Sequence, residues 1–307
     1  MAAPTGIDLR SLRSEELESW AALCDEGFGF RDGAAYFLRH FRDDPFADIN
    51  GIFVAEAGGR LVSSVRVFTR EVYLAGRRVT MGGIGEVCTL ADYRRQGLSG
   101  ELLKRAIGYM AARGLDISML FTGSNGHYAR YGWFTVPTRF CRLPLEGVAP
   151  IDGVRPMADH DFAAMRGVHG LFAGAADGAL VREHPRYWDD WVRAGWKSPI
   201  VLERDGRVVA YLDAAPSQHC VRLRDFAQLP GEDALLPLLA AAATVAGCAC
   251  ADVPAPLLSA DPQGFVEHTS MMVRLNRPFS LGERTVRRAG DLAALLANAA
   301  FFDVDGF

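Results

Sequence analysis

Val87-Cys88-Thr89-Leu90-Ala91-Asp92-Tyr93-Arg94-Arg95-Gln96-Gly97-Leu98-Ser99-Gly100 reads as an apolar strand, a basic turn containing glycine, and the first turn of a helix. Beyond it, Leu102, Leu103, Ala106, Ile107 and Met110 recur at helical spacing, the stripe of a helix packed on a sheet. A helix start presents unpaired backbone N–H groups and the positive end of the macrodipole. Glycine at that point lets a phosphate approach the backbone, and Arg94 and Arg95 add positive charge. The stretch is therefore read as a pyrophosphate cradle. It is not a Walker loop, because no Gly-Lys-Ser/Thr follows, and it lacks the Gly-x-Gly-x-x-Gly of a dinucleotide fold.

Composition narrows the remaining classes. A chain of 307 residues has room for two domains, and with 50% hydrophobic residues it has ample core for both. A formal charge of −4 argues against nucleic acid as a partner. The amino terminus lacks a basic–apolar–small leader pattern, and no apolar run approaches the roughly 18 residues of a membrane span. The expectation is a cytoplasmic protein without a membrane partner. Six cysteines are scattered through apolar surroundings; Cys248-Ala-Cys250 lacks a second pair or histidines at metal spacing. All are read as reduced, with core packing as their role and no metal site.

Around the cradle, Ile7–Arg10 reads as a strand, and helices follow from Ser14 to Cys24 and from Ala34 to Phe41. Ile52–Glu56, Gly58-Gly59 and Leu61–Tyr73 form a hairpin, and Met81-Gly82-Gly83-Ile84-Gly85-Glu86 leads into Val87–Leu90. Glycines inside a strand mark a bulge or a close backbone approach. After the cradle helix, Ile117–Phe121 is a buried strand, followed by Gly123-Ser124-Asn125-Gly126-His127-Tyr128-Ala129-Arg130-Tyr131-Gly132-Trp133-Phe134.

Arg94-Arg95-Gln96-Gly97-Leu98-Ser99 resembles the acetyl-CoA loop of the GNAT acetyltransferases, Arg/Gln-x-x-Gly-x-Gly/Ala, with serine at the last small position. The segment from Asn125 to Phe134, with Met81-Gly82-Gly83-Ile84-Gly85, resembles the Eis-like (enhanced intracellular survival) branch. That resemblance implies a strand splayed from its neighbour, with the pantetheine arm of acetyl-CoA bonded along Val87, Cys88 and Thr89. Arg94 to Ser99 would hold the pyrophosphate, and Asn125 is assigned to the cofactor as well. Tyr128 aligns with the tyrosine that protonates the departing thiolate. Phe28, Phe30, Tyr36 and Trp133 are the aromatic candidates for walling the acceptor.

The second half repeats the first without the cradle. Val154 follows Ile7 by 147 residues, and Ile200 follows Ile52 by 148. At the equivalent of the cradle, Gly231-Glu232-Asp233 offers carboxylates, which repel a pyrophosphate. The expected fold is α/β: tandem GNAT-like units, each a mixed, mostly antiparallel sheet flanked by helices. A catalytic unit spans 1–147 and a degenerate unit 148–278, with a linker at Pro144–Pro150 and Met271–Leu275 closing the second unit. A helical, aromatic tail, 279–307, staples the two together. In Eis-like enzymes a terminal aromatic residue brings its carboxylate to the active site, which implicates Phe307.

Direct acetyl transfer to an amine needs a held thioester, a hydrogen bond to its carbonyl, a neutral amine and an acid for the thiolate. The backbone at Val87 or Cys88 supplies the hydrogen bond and Tyr128 the acid. Glu86 is the first candidate base, acting through water, with the Phe307 carboxylate and His127 as competitors. Cys88 and Cys141 have no histidine partner in the sequence, so a thiol intermediate is set aside. The acceptor is expected to be a small-molecule amine, aminoglycoside-like or other, or a lysine. The alternatives are an acyl-CoA-binding sensor without turnover and acylation of a protein amino terminus; a homo-oligomer stays open.

Overall fold

The computed structural model describes residues 6–149, 151–258, 264–297 and 299–306. The first half runs β1 (Ile7–Ser11), α1 (Leu17–Phe28), α2 (Ala34–Arg42), β2 (Ile52–Ala57), β3 (Arg60–Leu74), β4 (Arg77–Thr89), α3 (Leu98–Ala112), β5 (Ile117–Phe121), α4 (Asn125–Ala129), β6 (Phe134–Thr135) and β7 (Thr138–Pro144). The second half continues with β8 (Val154–Pro156), α5 (Phe162–Ala173), a π-helical turn (Tyr187–Val192) leading into α6 (Arg193–Gly195), β9 (Ile200–Arg204), β10 (Arg207–Ser217), β11 (Cys220–Gln228), α7 (Leu235–Ala246), β12 (Cys250–Pro254), β13 (Val266–His268) and β14 (Met271–Leu275). The tail adds the hairpin β15 (Phe279–Leu281) and β16 (Arg284–Val286), then α8 (Ala289–Leu296).

Two seven-stranded sheets result, ordered β1-β2-β3-β4-β5-β14-β6 and β8-β9-β10-β11-β12-β7-β13. The two orders are the same pattern written twice, as the sequence repeat requires. One ion cluster is duplicated with it. Arg10 holds Glu16 bidentately and also Glu56, while Arg155 holds Asp161 bidentately and also Glu203.

The closing strands, however, are exchanged. Met271–Leu275 does not close the second unit; it lies between β5 and β6 of the first sheet, Met271 opposite Phe121 and Met272 opposite Thr135. The corresponding place in the second sheet is filled by β7, which pairs with β12 and β13. Met271, Met272 and Val273 are all buried, as a strand in the middle of a covered sheet demands. Alternation fixes which face a residue takes but not which sheet its strand joins, so the sequence could not show the swap. A cut at residue 147 consequently leaves one strand of each sheet on the far side. The halves are further tied by β3, whose end pairs across the units: Tyr73 N donates to Ala179 O at 2.9 Å and Gly178 N to Tyr73 O at 2.8 Å.

Not all of the cysteines are reduced. Cys220 and Cys250 are directly opposed on the parallel neighbours β11 and β12, Cα atoms 4.6 Å apart, and form a disulfide. Thirty positions separate them, and only the sheet brings them together. Cys24, Cys88, Cys141 and Cys248 take no part in that bond. Thiol titration of the denatured, unreduced protein is expected to find four groups, against six after reduction. Loop-closure entropy puts the loss on replacing both cysteines by alanine at about 3–4 kcal/mol in urea unfolding.

The tail packs against the second half through α8 and the residues after it. α8 buries Leu292, Leu295 and Leu296. Beyond it, Asp305 is buried against Arg182, and Val304 O accepts from Trp191 Nε1 at 3.1 Å. Among the described residues, no helix is long and apolar enough to cross a membrane.

Candidate functional site

The site is built where β4 leaves β5. These strands pair in parallel only from Met81 to Gly83, opposite Ile117 to Met119. Just beyond, Ser64 opposes Cys88 while Arg66 opposes Gly85, so β4 carries one extra residue. Glu86 takes the strain of that bulge at φ +52°, a backbone region few non-glycine residues adopt. The result is a groove of about 540 Å³ whose wall includes the β4 segment from Ile84 to Thr89.

At one end of the groove stands the cradle. Gly97 caps α3 in the left-handed conformation, φ +83°, and Arg95 is also left-handed at φ +63°. Arg94 lines the groove and its Nε holds Thr89 O at 3.0 Å; exposed Gln96 folds back onto Asp92 O at 3.2 Å. Leu98 anchors the helix in the core, and Ser99 lines the groove with its Oγ 3.2 Å from His127 Nε2. Gly100 is required for another reason: a Cβ there would meet the Tyr131 hydroxyl at 2.0 Å.

On the same groove, α4 presents Tyr128. The residue is 9% exposed, lines the groove, and packs edge-on to His127 and Trp133. Burial pushes its phenol above the ordinary value, so the hydroxyl keeps its proton and can donate it. Burial, and then the Arg130 charge, pulls the His127 imidazole below its ordinary value, and His127 belongs to the cradle side. Val87 and Thr89 are half-buried along the groove, Thr89 Oγ1 lying 2.8 Å from Ser63 Oγ. Cys88 is buried under α1; a Cβ on Gly27 would come within 2.7 Å of Cys88 Cβ.

Other expected residues are placed differently. Trp133 is 1% exposed, with Nε1 bonded to Ser118 Oγ at 3.2 Å; it backs Tyr128 from the core and does not wall an acceptor. Asn125 is spent on Thr135 Oγ1 and Thr269 O, at 2.7 and 2.8 Å, fixing α4 to the neighbouring strands and not reaching the groove. Phe307 lies outside the described residues. Phe28 and Phe30 are exposed and pack against each other at a tilt of 33°; Phe28 lines the groove and Tyr36 a second cavity.

Glu86 is not a free carboxylate. It accepts from Arg66 Nη1 at 3.3 Å on both oxygens and sits 2.9 Å from His40 Nδ1. Arg66 also reaches Asp44 at 3.0 Å, as does Arg70, and the Arg66 guanidinium lies 3.9 Å from the Phe68 ring centroid. Sequence reasoning missed this cluster. Its signal was Arg66 and Arg70 four apart on one face of a long strand, with apolar Val65, Val67 and Phe68 beside them, where buried guanidiniums need carboxylates.

A profile described as Acetyltransferase (GNAT) domain matches residues 8–136. Those residues are a GNAT acetyltransferase domain, and the protein is an acyltransferase. An uncharacterized N-acetyltransferase of Archaeoglobus fulgidus is 23% identical over 129 residues, 40% of this chain and 87% of the relative. The fold is shared with a GCN5-related N-acetyltransferase from Kribbella flavida (18% identity, TM-score 0.69, 90% of this chain and 74% of that one). It is shared also with Eis1 from Mycobacterium abscessus (16% identity, TM-score 0.64, 88% and 73%). GNAT domains use acetyl-CoA, and this groove suits it: a left-handed glycine before a helix start for the pyrophosphate, and an unpaired strand edge for the pantetheine amides. Replacing Gly97 by valine forces a β-branched residue into φ +83° and misaims those amides. Calorimetry should show acetyl-CoA affinity lowered about 10- to 100-fold, the equivalent of 1–3 kcal/mol.

Proposed function

We propose that the protein transfers an acetyl group from acetyl-CoA directly to a primary amine, on a small molecule of aminoglycoside-like or other type or on a lysine side chain. One observation carries the reading: the Arg94–Ser99 cradle and the buried Tyr128 hydroxyl face a single groove whose wall is the unpaired edge of β4. Amides at the start of α3 would hold the diphosphate, the backbone at Val87 or Cys88 would donate to the thioester carbonyl, and Tyr128 would protonate sulfur. The setting we assign is the cytoplasm, where acetyl-CoA is available; the Cys220–Cys250 bond lies away from the groove and plays no part in the reaction. The test is thiol release from acetyl-CoA across alkylamines, polyamines, an aminoglycoside and a lysine peptide. Amine-dependent release supports the reading. Tight acetyl-CoA binding with no release on any amine favours a sensor, and release only with peptide amino termini favours a terminal acylase.

A further inference from the structure

The bulge at Glu86 turns its carboxylate away from solvent and into contact with α2, where His40 waits. Glu86 is flanked by Arg66, so it is an acceptor and Nδ1 of His40 carries the hydrogen that bonds it at 2.9 Å. The opposite nitrogen, Nε2, has no hydrogen-bond partner among the described residues, and the side chain is 15% exposed. The ring is held on both sides. Tyr36 stacks on it at 5.1 Å, and Trp191, from the π-helical turn of the second half, stacks at 4.3 Å. All three line a cavity of about 370 Å³ between α2 and the second half. Glu86 lines the acetyl-CoA groove, so the two cavities meet across the Glu86–His40 pair.

We propose that His40, oriented by Glu86, is the base that takes a proton from the acceptor amine, which enters through the cavity beside Trp191. The inference rests on the acetyltransferase reading above. Glu86 itself is poorly suited to that task, because Arg66 holds both of its oxygens. The two guanidiniums of Arg66 and Arg70 balance the two carboxylates of Asp44 and Glu86. Once the imidazole accepts a proton, the Glu86 carboxylate stabilises the imidazolium, the role of the acid in a carboxylate–histidine pair.

Nε2 removes one proton from the ammonium, and the freed lone pair attacks the thioester carbon, forming the C–N bond. Collapse of the tetrahedral adduct breaks the C–S bond, and Tyr128 gives its proton to sulfur. The second nitrogen proton returns to the Tyr128 oxygen, and His40 releases the first to solvent.

The experiment uses His40→Asn in the full chain. Asparagine places an amide nitrogen where Nδ1 stood, keeps the bond to Glu86 and lacks Nε2; His40→Gln serves as a second variant. Acetyl transfer from acetyl-CoA is compared for the best alkylamine of the panel, an ammonium at neutral pH, and for hydroxylamine, which is already neutral. Both variants should lose about 10²–10⁴-fold in kcat/KM with the alkylamine and less than about tenfold with hydroxylamine, acetyl-CoA affinity staying native. Native rates with the alkylamine, or equal losses with both amines, overturn the assignment of His40 alone. If the unaltered protein acetylates no amine, the transferase reading falls and this one with it.

Discussion

Tyr128→Phe is expected to lower kcat for acetyl transfer by about 10²–10⁴-fold, with acetyl-CoA affinity unchanged within about twofold. The substitution removes one oxygen and leaves a ring packed against His127 and Trp133. On the proposed reading the diphosphate is held by backbone amides at the start of α3, which the substitution does not touch, so affinity and turnover should separate. Burial holds the phenol above its ordinary value, so protonation of the thiolate persists through alkaline pH. Loss of activity from deprotonating Tyr128 should therefore begin above about pH 10, the value of an unperturbed phenol. A phenylalanine variant with native kcat would remove Tyr128 from the chemistry.

The second large effect is on stability. Arg182 is fully buried between two carboxylates, bonded to Asp225 at 2.9 and 3.0 Å and to Asp305 at 2.9 and 2.7 Å. Tyr187 Oη and Trp196 Nε1 complete the shell, bonding Asp305 at 3.2 Å and Asp225 at 3.0 Å. Burial raises the Asp305 carboxyl above its usual range even beside the guanidinium, a sign of how costly an unpaired charge is at this point. Arg182→Met leaves two buried carboxylates facing each other, and urea unfolding should report a loss of about 3–5 kcal/mol. Tryptophan emission is a suitable probe, since Trp188, Trp191 and Trp196 surround the cluster. The triple variant Arg182→Met, Asp225→Asn, Asp305→Asn should recover much of that loss, because a neutral set has no charge to desolvate. A single variant that loses less than about 1 kcal/mol would contradict the reading of these charges as a buried, unscreened cluster.

The cradle was legible in the sequence because it is local: a strand, a basic glycine turn and an amphipathic helix follow one another within Val87–Met110. Repetition was legible too, since one offset relates matching elements along the chain. Three things were not. The exchange of β7 and β14 leaves alternation within each strand unchanged, so no pattern marks it. The disulfide depends on the register of two parallel strands joined through α7. The Asp44–Arg66–Glu86–His40 cluster joins α2 and its end to β3 and β4, and each member alone passes for an ordinary surface charge. Trp133 shows the converse error. An aromatic residue beside the acid reads as a substrate wall, but the bend at Gly132, φ +91°, turns it into the core.

The measurement closest to the centre of this account is a crystal structure of the complex with acetyl-CoA. The diphosphate is predicted to lie within hydrogen-bond distance of the backbone amides between Arg95 and Ser99, with the thioester sulfur reached by the Tyr128 hydroxyl directly or through one water. Acetyl-CoA bound away from the start of α3, or a sulfur turned away from Tyr128, would contradict it.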